Sequence, residues 1–339
     1  MLTLFLSPLV RDQFGDALRA AAGDDLQLLV SDAAMPLSGQ QLGEIDVALL
    51  SLDIVGQSSK LLPTPALQLF SGQLRAASRL QWLHLPTAGV DRPIAQEMLR
   101  RGVRLTNSSG ANADAVAHTA LMGMLVLWRG ALKWAQAQRE HRWAPLRGHE
   151  APSDLAGQRA IVVGYGPIGR SIARFLEMLG LQVHKLRHAP QPGDAAQHIH
   201  AYAQLPALAR EAQWLVLACP LTDATRRLVD ASVLHAMPRG SFVVNVGRGG
   251  VLDEDALVRA LACGQIAGAH LDVFEQEPLA PDSPFWDLPN VLVSPHNAGA
   301  TQQYAARCVH MFIDNLGRWV RAEPLHQEVP RNQALQESG

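Results

Sequence analysis

The sequence predicts an α/β fold made of two doubly wound parallel-sheet domains. Short apolar runs alternate with segments of helical spacing over residues 1–108, and the alternation resumes from Arg159. Because the connections are short, the strands should lie parallel in sheets that helices cover on both faces. A length of 339 residues suffices for two domains with a core each.

The first half of the chain carries strand-like runs with helical spacing between them. The strands are predicted at Leu2–Leu6, Leu26–Val30, Val47–Leu52, Leu80–Leu85 and Val103–Asn107, and the helices at Phe14–Ala22 and Ala66–Ala77. The stretch Leu85–Asp91 follows the fourth strand and should lie at its carboxyl end, where open α/β sheets bind ligands. A plain Pro/Gly turn is the alternative interpretation.

A long apolar helix and a loop join the two halves. Helical spacing runs from Ala113 to Arg139, with a break expected near Gly130. The pattern is too apolar for a surface helix, so part of it should be buried against a second domain or a second subunit. The polar stretch from His141 to Gly157 is predicted to be a loop.

The second half resumes the alternation, with strands that suit a doubly wound sheet. The strands are predicted at Arg159–Gly164, Leu181–Leu186, Trp214–Cys219, Ser241–Val246, Ala267–Val273 and Val291–Ser294, and the helices at Ile168–Leu179, Leu205–Ala212, Ala224–Met237 and Glu254–Cys263. The tail from Gln302 to Val320 is again helical and should cross back onto the first domain. The domains are therefore predicted at 1–108 with 302–339, and at 109–301, with fraying after about residue 330.

A glycine-rich turn opens the second half. The apolar run to Val163 leads directly into G-x-G-x-x-G, and a helical pattern follows. In that context Gly164 permits a tight turn, Gly166 lets a pyrophosphate approach the backbone, and Gly169 lets helix and strand pack closely. We interpret the turn as a dinucleotide site whose phosphates face the helix start. An ordinary tight turn between strand and helix is the alternative.

Composition excludes several classes of partner. A net charge of −2 gives no electrostatic reason to expect nucleic acid or an anionic membrane. Met1–Val10 is apolar but too short to span a bilayer. The cysteines, Cys219, Cys263 and Cys308, are odd in number and far apart, which suits neither a metal pattern nor a disulfide framework. We therefore expect a protein of the reducing cytoplasm.

Three candidate catalytic side chains follow later strands of the second half. They are Arg248, Glu277 and His296, within Asn245–Gly250, Leu271–Pro278 and Ser294–Gly299. Singly, each has an ordinary explanation as a solvated arginine, a surface carboxylate or a buried histidine. Together they suit reduction of a 2-oxo acid beside a nicotinamide. Arginine grips a carboxylate, histidine donates a proton near neutral pH, and a carboxylate orients the imidazole.

These stretches, with Thr87–Asp91, Gly164–Gly169 and Cys219–Thr222, resemble the D-isomer-specific 2-hydroxyacid dehydrogenase family over nearly the whole chain. The resemblance implies a Rossmann cofactor domain inserted into a flavodoxin-like substrate domain, an active site between the two, and a homodimer. It also implies that Arg248 holds the substrate, that His296 is the acid/base, and that Glu277 supports His296.

The same resemblance assigns the binding residues. Asp272 would bind the nicotinamide carboxamide, and the substrate carboxylate would lie against the backbone of Ala88, Gly89 and Val90, together with Arg248 and His296. The full set of expected cofactor residues is Gly164, Gly166, Pro167, Ile168, Gly169, Arg187, His188, Cys219, Pro220, Val246, Gly247, Asp272 and Gly299.

The sequence departs from the family pattern at two positions. Family members that prefer NAD carry an acid at the end of the second strand of the cofactor domain, where this chain has Arg187. Arg187 could bind a 2′-phosphate, so we predict a preference for NADP(H), with NAD(H) still usable; a basic strand end without a role is the alternative. His118 stands where many members have Glu, and is either a packed helix residue or a pocket residue.

Two histidine pairs, His184/His188 and His198/His200, lack further metal ligands at useful spacing. We interpret them as surface or cofactor-side residues and predict no metal site. The favoured function is NADP(H)-dependent reduction of a small 2-oxo acid, such as glyoxylate or hydroxypyruvate, to the D-2-hydroxy acid. The alternatives are a cofactor-sensing protein like the family's corepressors and a phosphite-oxidising dehydrogenase.

Overall fold

The structure is a computed structural model that describes residues 1–56, 63–90 and 92–330. Asp91, the last residue of the Thr87–Asp91 motif, and the terminal residues predicted to fray lie outside these ranges. The chain forms two compact units. One, here called the discontinuous unit, consists of Met1–Ala111 and the segment from Gln302 onward, and the other, the central unit, is Asn112–Thr301.

The discontinuous unit is a five-stranded parallel sheet with helices packed on it. Its elements are β1 (Leu2–Leu6), α1 (Pro8–Ala22), β2 (Leu26–Val30), α2 (Gly39–Gly43), β3 (Val47–Leu49), α3 (Leu52–Val55), α4 (Pro65–Ala76), β4 (Trp82–Leu85), α5 (Pro93–Arg100), β5 (Arg104–Asn107) and, near the chain end, α12 (Tyr304–Val320). The strand order β2-β1-β3-β4-β5 is the flavodoxin-like doubly wound order.

Local sequence explains where the helices of this unit begin. Ser7 accepts a hydrogen bond from the amide of Val10, and Pro8 occupies the first turn of α1. Thr64 and Pro65 do the same for α4. Both pairs place a hydroxyl cap before a proline that needs no N–H partner.

The central unit is built on a seven-stranded parallel sheet. Its elements are α6 (Ala113–Arg129), α7 (Ala131–Arg139), β6 (Arg159–Val163), α8 (Pro167–Met178), β7 (Gln182–Arg187), β8 (Ile199–Ala201), α9 (Leu205–Ala209), β9 (Trp214–Leu217), α10 (Ala231–Ala236), β10 (Ser241–Asn245), α11 (Glu254–Ala262), β11 (Ile266–Leu271) and β12 (Val291–Val293). The order β12-β11-β10-β9-β6-β7-β8 contains the Rossmann order, extended by β12. The predicted fold class is confirmed.

The structure differs from the predicted elements of the central unit at one strand and one helix. The edge strand β8 was not predicted, because its three residues carry no apolar run that would identify a strand. The helix predicted over Ala224–Met237 shortens to α10, because Asp230 caps a later start. Before that cap, the Thr225 hydroxyl donates to the carbonyl of Pro220 and accepts from the amide of Thr222, and such side-chain bonds compete with helix formation.

The long apolar helix breaks as predicted. Gly130 adopts a left-handed conformation, with φ 69°, between α6 and α7. The apolar face of α6, including Ala117, Ala120 and Met124, is buried in the core of the central unit itself. Within the described ranges no single helix is long and apolar enough to cross a membrane; α6 and α7 taken together would pass on length and composition alone, with a bend of 69° between them.

Aromatic packing joins α12 to the strands of the discontinuous unit. Phe312 and Leu316 are fully buried beside Leu4, Leu6 and Trp82. The rings of Phe312 and Trp82 stack with centroids 5.0 Å apart. Residues far apart in sequence therefore share one core.

The same core holds a buried histidine. His84 lies between the hydroxyls of Thr106 and Ser108, at 2.7 and 3.0 Å from its two ring nitrogens. Burial lowers the pKa of His84 to about 3. The imidazole is therefore neutral in the folded protein at pH values where an unfolded chain would protonate it.

This difference predicts acid lability. Between pH 6.5 and about 3 the unfolded state takes up a proton that folded His84 does not, so stability falls as the pH falls. The expected loss from this residue at pH 5 is about 2 kcal/mol relative to pH 7.5. Urea unfolding across this range should show a shallower pH slope for His84→Gln. His235→Gln, which alters an exposed histidine, should keep the wild-type slope. Equal slopes for His84→Gln and the wild type would refute this account.

Candidate active site

The glycine-rich turn brings the carboxyl ends of β6 and β9 into direct contact. Gly164 has φ +101°, and a Cβ there would lie 2.6 Å from the amide nitrogen of Cys219. A Cβ at Gly169 would overlap the carbonyl oxygen of Gly164. Both positions therefore require glycine for the reasons that the sequence indicated.

The middle glycine of the turn is different. A Cβ at Gly166 would meet no atom within 4 Å. Gly166 caps α8 without a side-chain hydrogen bond, and Pro167 follows in the first turn. Open space therefore lies beside Gly166 at the start of this 12-residue helix, where a helix end can bind a phosphate.

Two further glycines bring strand ends together around Arg248. A Cβ at Gly247 would lie 2.8 Å from the carbonyl oxygen of Cys219, and one at Gly249 would overlap the backbone of Phe274. Asn245 closes the turn between them, because its side chain accepts from Gly247 N and donates to Arg248 O. The side chain of Arg248 is exposed, and its Nη1 donates to the carbonyl of Gly247 at 2.8 Å.

His296 and Glu277 are brought together. Nδ1 of His296 lies 2.7 Å from Oε2 of Glu277, and Oε1 accepts from the amide of Phe274. Burial alone would raise the pKa of Glu277, but these hydrogen bonds and the charges of His296 and Arg248 outweigh it, so the pKa lies below its ordinary value. Glu277 is therefore a carboxylate at neutral pH. It requires Nδ1–H as the donor, which leaves Nε2 of the exposed imidazole for proton exchange.

Asp272 holds the loop that carries His296. This buried carboxylate accepts hydrogen bonds from the amides of Asn297 and Ala298, each at 2.9 Å, and from the Ser294 hydroxyl at 2.5 Å. Its backbone carbonyl accepts from the amide of His296. His296 itself has φ +50°, an unfavourable conformation for a residue with a Cβ. The hydrogen bonds to Asp272 support this conformation, a positioning role that the sequence did not indicate.

A buried histidine lies behind Asp272. Nε2 of His270 is 3.1 Å from the Ser294 hydroxyl, which itself donates to Asp272. The histidine must therefore donate to the serine. Burial lowers the pKa of His270 to about 4, so the ring is neutral. Gly123 of α6 makes room for it, because a Cβ there would overlap the ring. Sequence reasoning missed His270, since nothing in its pattern distinguishes it from a core residue.

Arg187 ends β7 as expected, but an acid accompanies it. Nη1 of Arg187 lies 3.3 Å from Oδ2 of Asp194, which also accepts from the amide of Gln191. The side chain of Asp194 is 9% exposed and that of Arg187 27%. Sequence reasoning found no acid at the strand end because Asp194 lies in the following loop. The accessible member of the pair is the arginine.

In the discontinuous unit, the loop after β4 has its carbonyl groups bonded to the protein. The carbonyl oxygens of residues 86–90 each accept a hydrogen bond of 2.8 to 3.4 Å; the donors, in order, are Tyr304 Oη with Cys308 Sγ, Ser108 N, Asn107 Nδ2, Thr87 Oγ1 and Gln96 Nε2. Within the described ranges, the amides of Ala88, Gly89 and Val90 donate no hydrogen bond to the protein. A row of such amides suits a carboxylate.

The remaining predicted residues occupy separate places in the central unit. His118 is exposed and stacks on Phe175, with ring centroids 5.1 Å apart. Val246 and Cys219 are buried, and burial raises the pKa of the Cys219 thiol to about 12. The other positions are simply located: Pro220 accepts from Thr225, Ile168 is half-buried on α8, His188 is exposed after β7, and Gly299 packs on Asn112.

Comparison with known proteins identifies the family. Residues 121–298 match the family described as D-isomer specific 2-hydroxyacid dehydrogenase, NAD binding domain. A glyoxylate/hydroxypyruvate reductase of Arabidopsis thaliana is 32% identical over 73% of this chain and 75% of its own length. An (S)-sulfolactate dehydrogenase of Chromohalobacter salexigens is 34% identical over 72% of this chain and 77% of its own.

Solved structures agree with these relatives. A D-isomer specific 2-hydroxyacid dehydrogenase from Xanthobacter autotrophicus, in complex with NADPH and MES, is 28% identical with a TM-score of 0.74 and covers 98% of this chain and 99% of its own. An NADPH-dependent glyoxylate/hydroxypyruvate reductase from Sinorhizobium meliloti, in complex with NADP and sulfate, is 25% identical with a TM-score of 0.74, covering 98% and 100%. The chain belongs to the D-isomer-specific 2-hydroxyacid dehydrogenase family and is an NAD(P)-dependent oxidoreductase that acts on CH–OH donors.

Proposed function

We propose that this enzyme reduces a small 2-oxo acid, of the glyoxylate or hydroxypyruvate type, to the D-2-hydroxy acid with NADPH as the favoured cofactor. The observation that carries the proposal is the 2.7 Å hydrogen bond between His296 and an ionised Glu277. Relatives named as glyoxylate or hydroxypyruvate reductases support the substrate class.

Each residue has a defined task in this reaction. The turn from Gly164 to Gly169 would hold the pyrophosphate at the start of α8, and a bound nicotinamide supplies the hydride. Arg248 would bind the substrate carboxylate and polarise the carbonyl. His296 donates a proton from Nε2 to the carbonyl oxygen, while Glu277 fixes the tautomer.

The preference for NADP(H) rests on Arg187. Its partly exposed guanidinium can bind a 2′-phosphate, whereas the carboxylate of Asp194 is buried and already accepts two hydrogen bonds. Structures of relatives named with NADPH or NADP support this choice. A homodimer and a cytoplasmic location, which the sequence also suggested, stay predictions.

Two variants test the cofactor preference. The ratio of kcat/KM for NADPH over NADH should exceed one in the wild type. Arg187→Asp should lower that ratio at least about 10-fold, because it replaces an attraction for the phosphate with a repulsion. Asp194→Asn should raise it, because the amide keeps the bond from Gln191 but no longer competes for Arg187. A wild-type ratio below one would contradict the preference.

Two glycines of one turn separate cofactor binding from folding. Gly166→Ala should fold with an unchanged thermal midpoint and bind NADPH at least about 10-fold more weakly, because the methyl group fills space that the pyrophosphate needs. Gly169→Ala should lose about 1–3 kcal/mol of stability, because its methyl group overlaps the backbone of the turn. Fluorescence titration and urea unfolding measure the two effects. Unchanged NADPH affinity in folded Gly166→Ala would place the pyrophosphate elsewhere.

Turnover tests the reaction itself. A panel of 2-oxo acids with NADPH should show the highest kcat/KM for a small 2-oxo acid. Phosphite is tested in the opposite direction with NADP+, and the absorbance of NADPH is followed in both assays. His296→Ala should lose more than about 100-fold in kcat while NADPH affinity stays unchanged. Negligible wild-type turnover across the panel would favour the cofactor-sensing alternative, and oxidation of phosphite alone would favour the phosphite alternative. Full activity in His296→Ala would refute the mechanism.

A further inference from the structure

Three histidines of the central unit converge away from the candidate catalytic residues. They are His184 on β7, His200 on β8, and His198 immediately before β8. Nδ1 of His184 lies 3.1 Å from Nε2 of His200, and one ring nitrogen from each of the three lies within 4.8 Å of the others. The sequence suggested the pairs His184/His188 and His198/His200. In the structure, His184 instead joins His198 and His200, and His188 is not part of the cluster.

Strand register explains the convergence. β7 and β8 run parallel, with Leu186 paired to His200, and the amide of Lys185 donates to the carbonyl of His198. His184 is two residues before Leu186, and His198 is two residues before His200. Because side chains alternate along a strand, His184 projects from the same face as Leu186 and its partner His200. His198 reaches the same place from the residue before β8.

The spacing of the ring nitrogens is compatible with ligands of one metal ion. The rings of His184 and His198 meet edge to face, at 83°, and those of His184 and His200 are tilted by 48°. Nitrogen ligands of a tetrahedral Zn²⁺ lie about 3.3 Å apart, since each Zn–N bond is about 2.0–2.1 Å. The distance between His184 and His200 is already close to that value. The exposed ring of His198 can complete the set by side-chain rotation.

The backbone turns at His198, immediately before β8. His198 has φ +55°, in the left-handed region, which histidine adopts more often than most residues with a Cβ. With this backbone, its imidazole lies within reach of the other two.

The charge state of the cluster also suits a metal. Burial, followed by the charges of the neighbouring histidines and Arg159, lowers the pKa of His184, although Glu211 opposes the shift. Burial and His198 lower the pKa of His200. Both rings are therefore neutral at pH 7 and have lone pairs to offer, as metal binding requires.

We propose that His184, His198 and His200 form a binding site for a divalent transition metal ion of the Zn²⁺, Ni²⁺ or Cu²⁺ class. Three imidazoles suit these ions and not Mg²⁺ or Ca²⁺, which prefer oxygen ligands. The fourth coordination position would be left to water. The ion would cross-link the edge strand β8 to β7 and so fix both ends of the segment that carries Asp194 opposite Arg187.

Metal titration of the full-length enzyme tests the site. The protein should be stripped with a chelator and freed of any histidine affinity tag. Calorimetry with Zn²⁺ should then show one equivalent bound with a Kd of about 1 μM or below. Co²⁺ should give visible absorption bands typical of histidine coordination that Zn²⁺ abolishes, and Mg²⁺ should not compete. Zn²⁺ should also raise the thermal midpoint, because it binds only the folded arrangement.

Single substitutions decide whether these residues hold the ion. Each of three variants should bind Zn²⁺ at least about 100-fold more weakly: His184→Gln, His198→Gln and His200→Gln. Loss of a residue that merely supports a ligand already costs about 10–100-fold, and these variants remove a ligand. His198→Gln alters an exposed side chain, so it should fold even if a change in the sheet does not. His235→Gln, an exposed histidine on α10, should bind Zn²⁺ like the wild type. Wild-type binding weaker than about 1 mM, or equal affinity in folded His198→Gln, would overturn the proposal.

Discussion

The candidate active site depends on backbone segments that approach one another too closely for any side chain. Gly164 touches the chain at Cys219, Gly169 touches Gly164, and Gly249 touches the backbone after β11. These contacts bring together the carboxyl ends of β6, β9, β10 and β11. Because the contact surfaces are bare backbone, amides and carbonyls rather than side chains define the floor of the site. Arg248 projects from this rigid floor, one residue away from two glycines that could not be replaced without moving the strands.

Three carboxylates of the central unit, those of Asp272, Glu277 and Asp194, have different partners and different roles. Asp272 is 1% exposed, and its hydrogen bonds hold a loop in a conformation that His296 would otherwise avoid. Glu277 lies at the surface, and its carboxylate is hydrogen-bonded to the imidazole of His296. Asp194 is buried beside Arg187 and pairs with its guanidinium. Asp272 thus supports the backbone conformation of His296, Glu277 fixes the tautomer of its imidazole, and Asp194 holds an arginine at the end of β7.

Sequence reasoning succeeded where the signal was local. The strands β1 and β2 fall at their predicted bounds, and Glu277 and His296 were paired from motifs alone. It failed for contacts that depend on the path of the chain between two strands. The partnership of Arg187 with Asp194 and the histidine cluster both depend on how the chain returns after β7 to form β8. β8 is too short and too polar for its sequence to indicate a strand. His270 was missed for a different reason. A single histidine within an apolar strand gives no sign in the sequence that it hydrogen-bonds to a serine beside the site.

The position of α12 in the chain has a consequence for biosynthesis. Leu4, Leu6 and Trp82 leave the ribosome long before Phe312 and Leu316, which pack on them in the folded protein. Likewise, Arg104 of β5 can form its ion pair with Glu328 only after Glu328 has been synthesised. The central unit is contiguous in sequence and can fold as soon as it emerges, whereas the discontinuous unit stays open throughout that interval. Until α12 is made, α1 alone of these two helices covers this face of the sheet, so the nascent chain exposes apolar surface that favours aggregation.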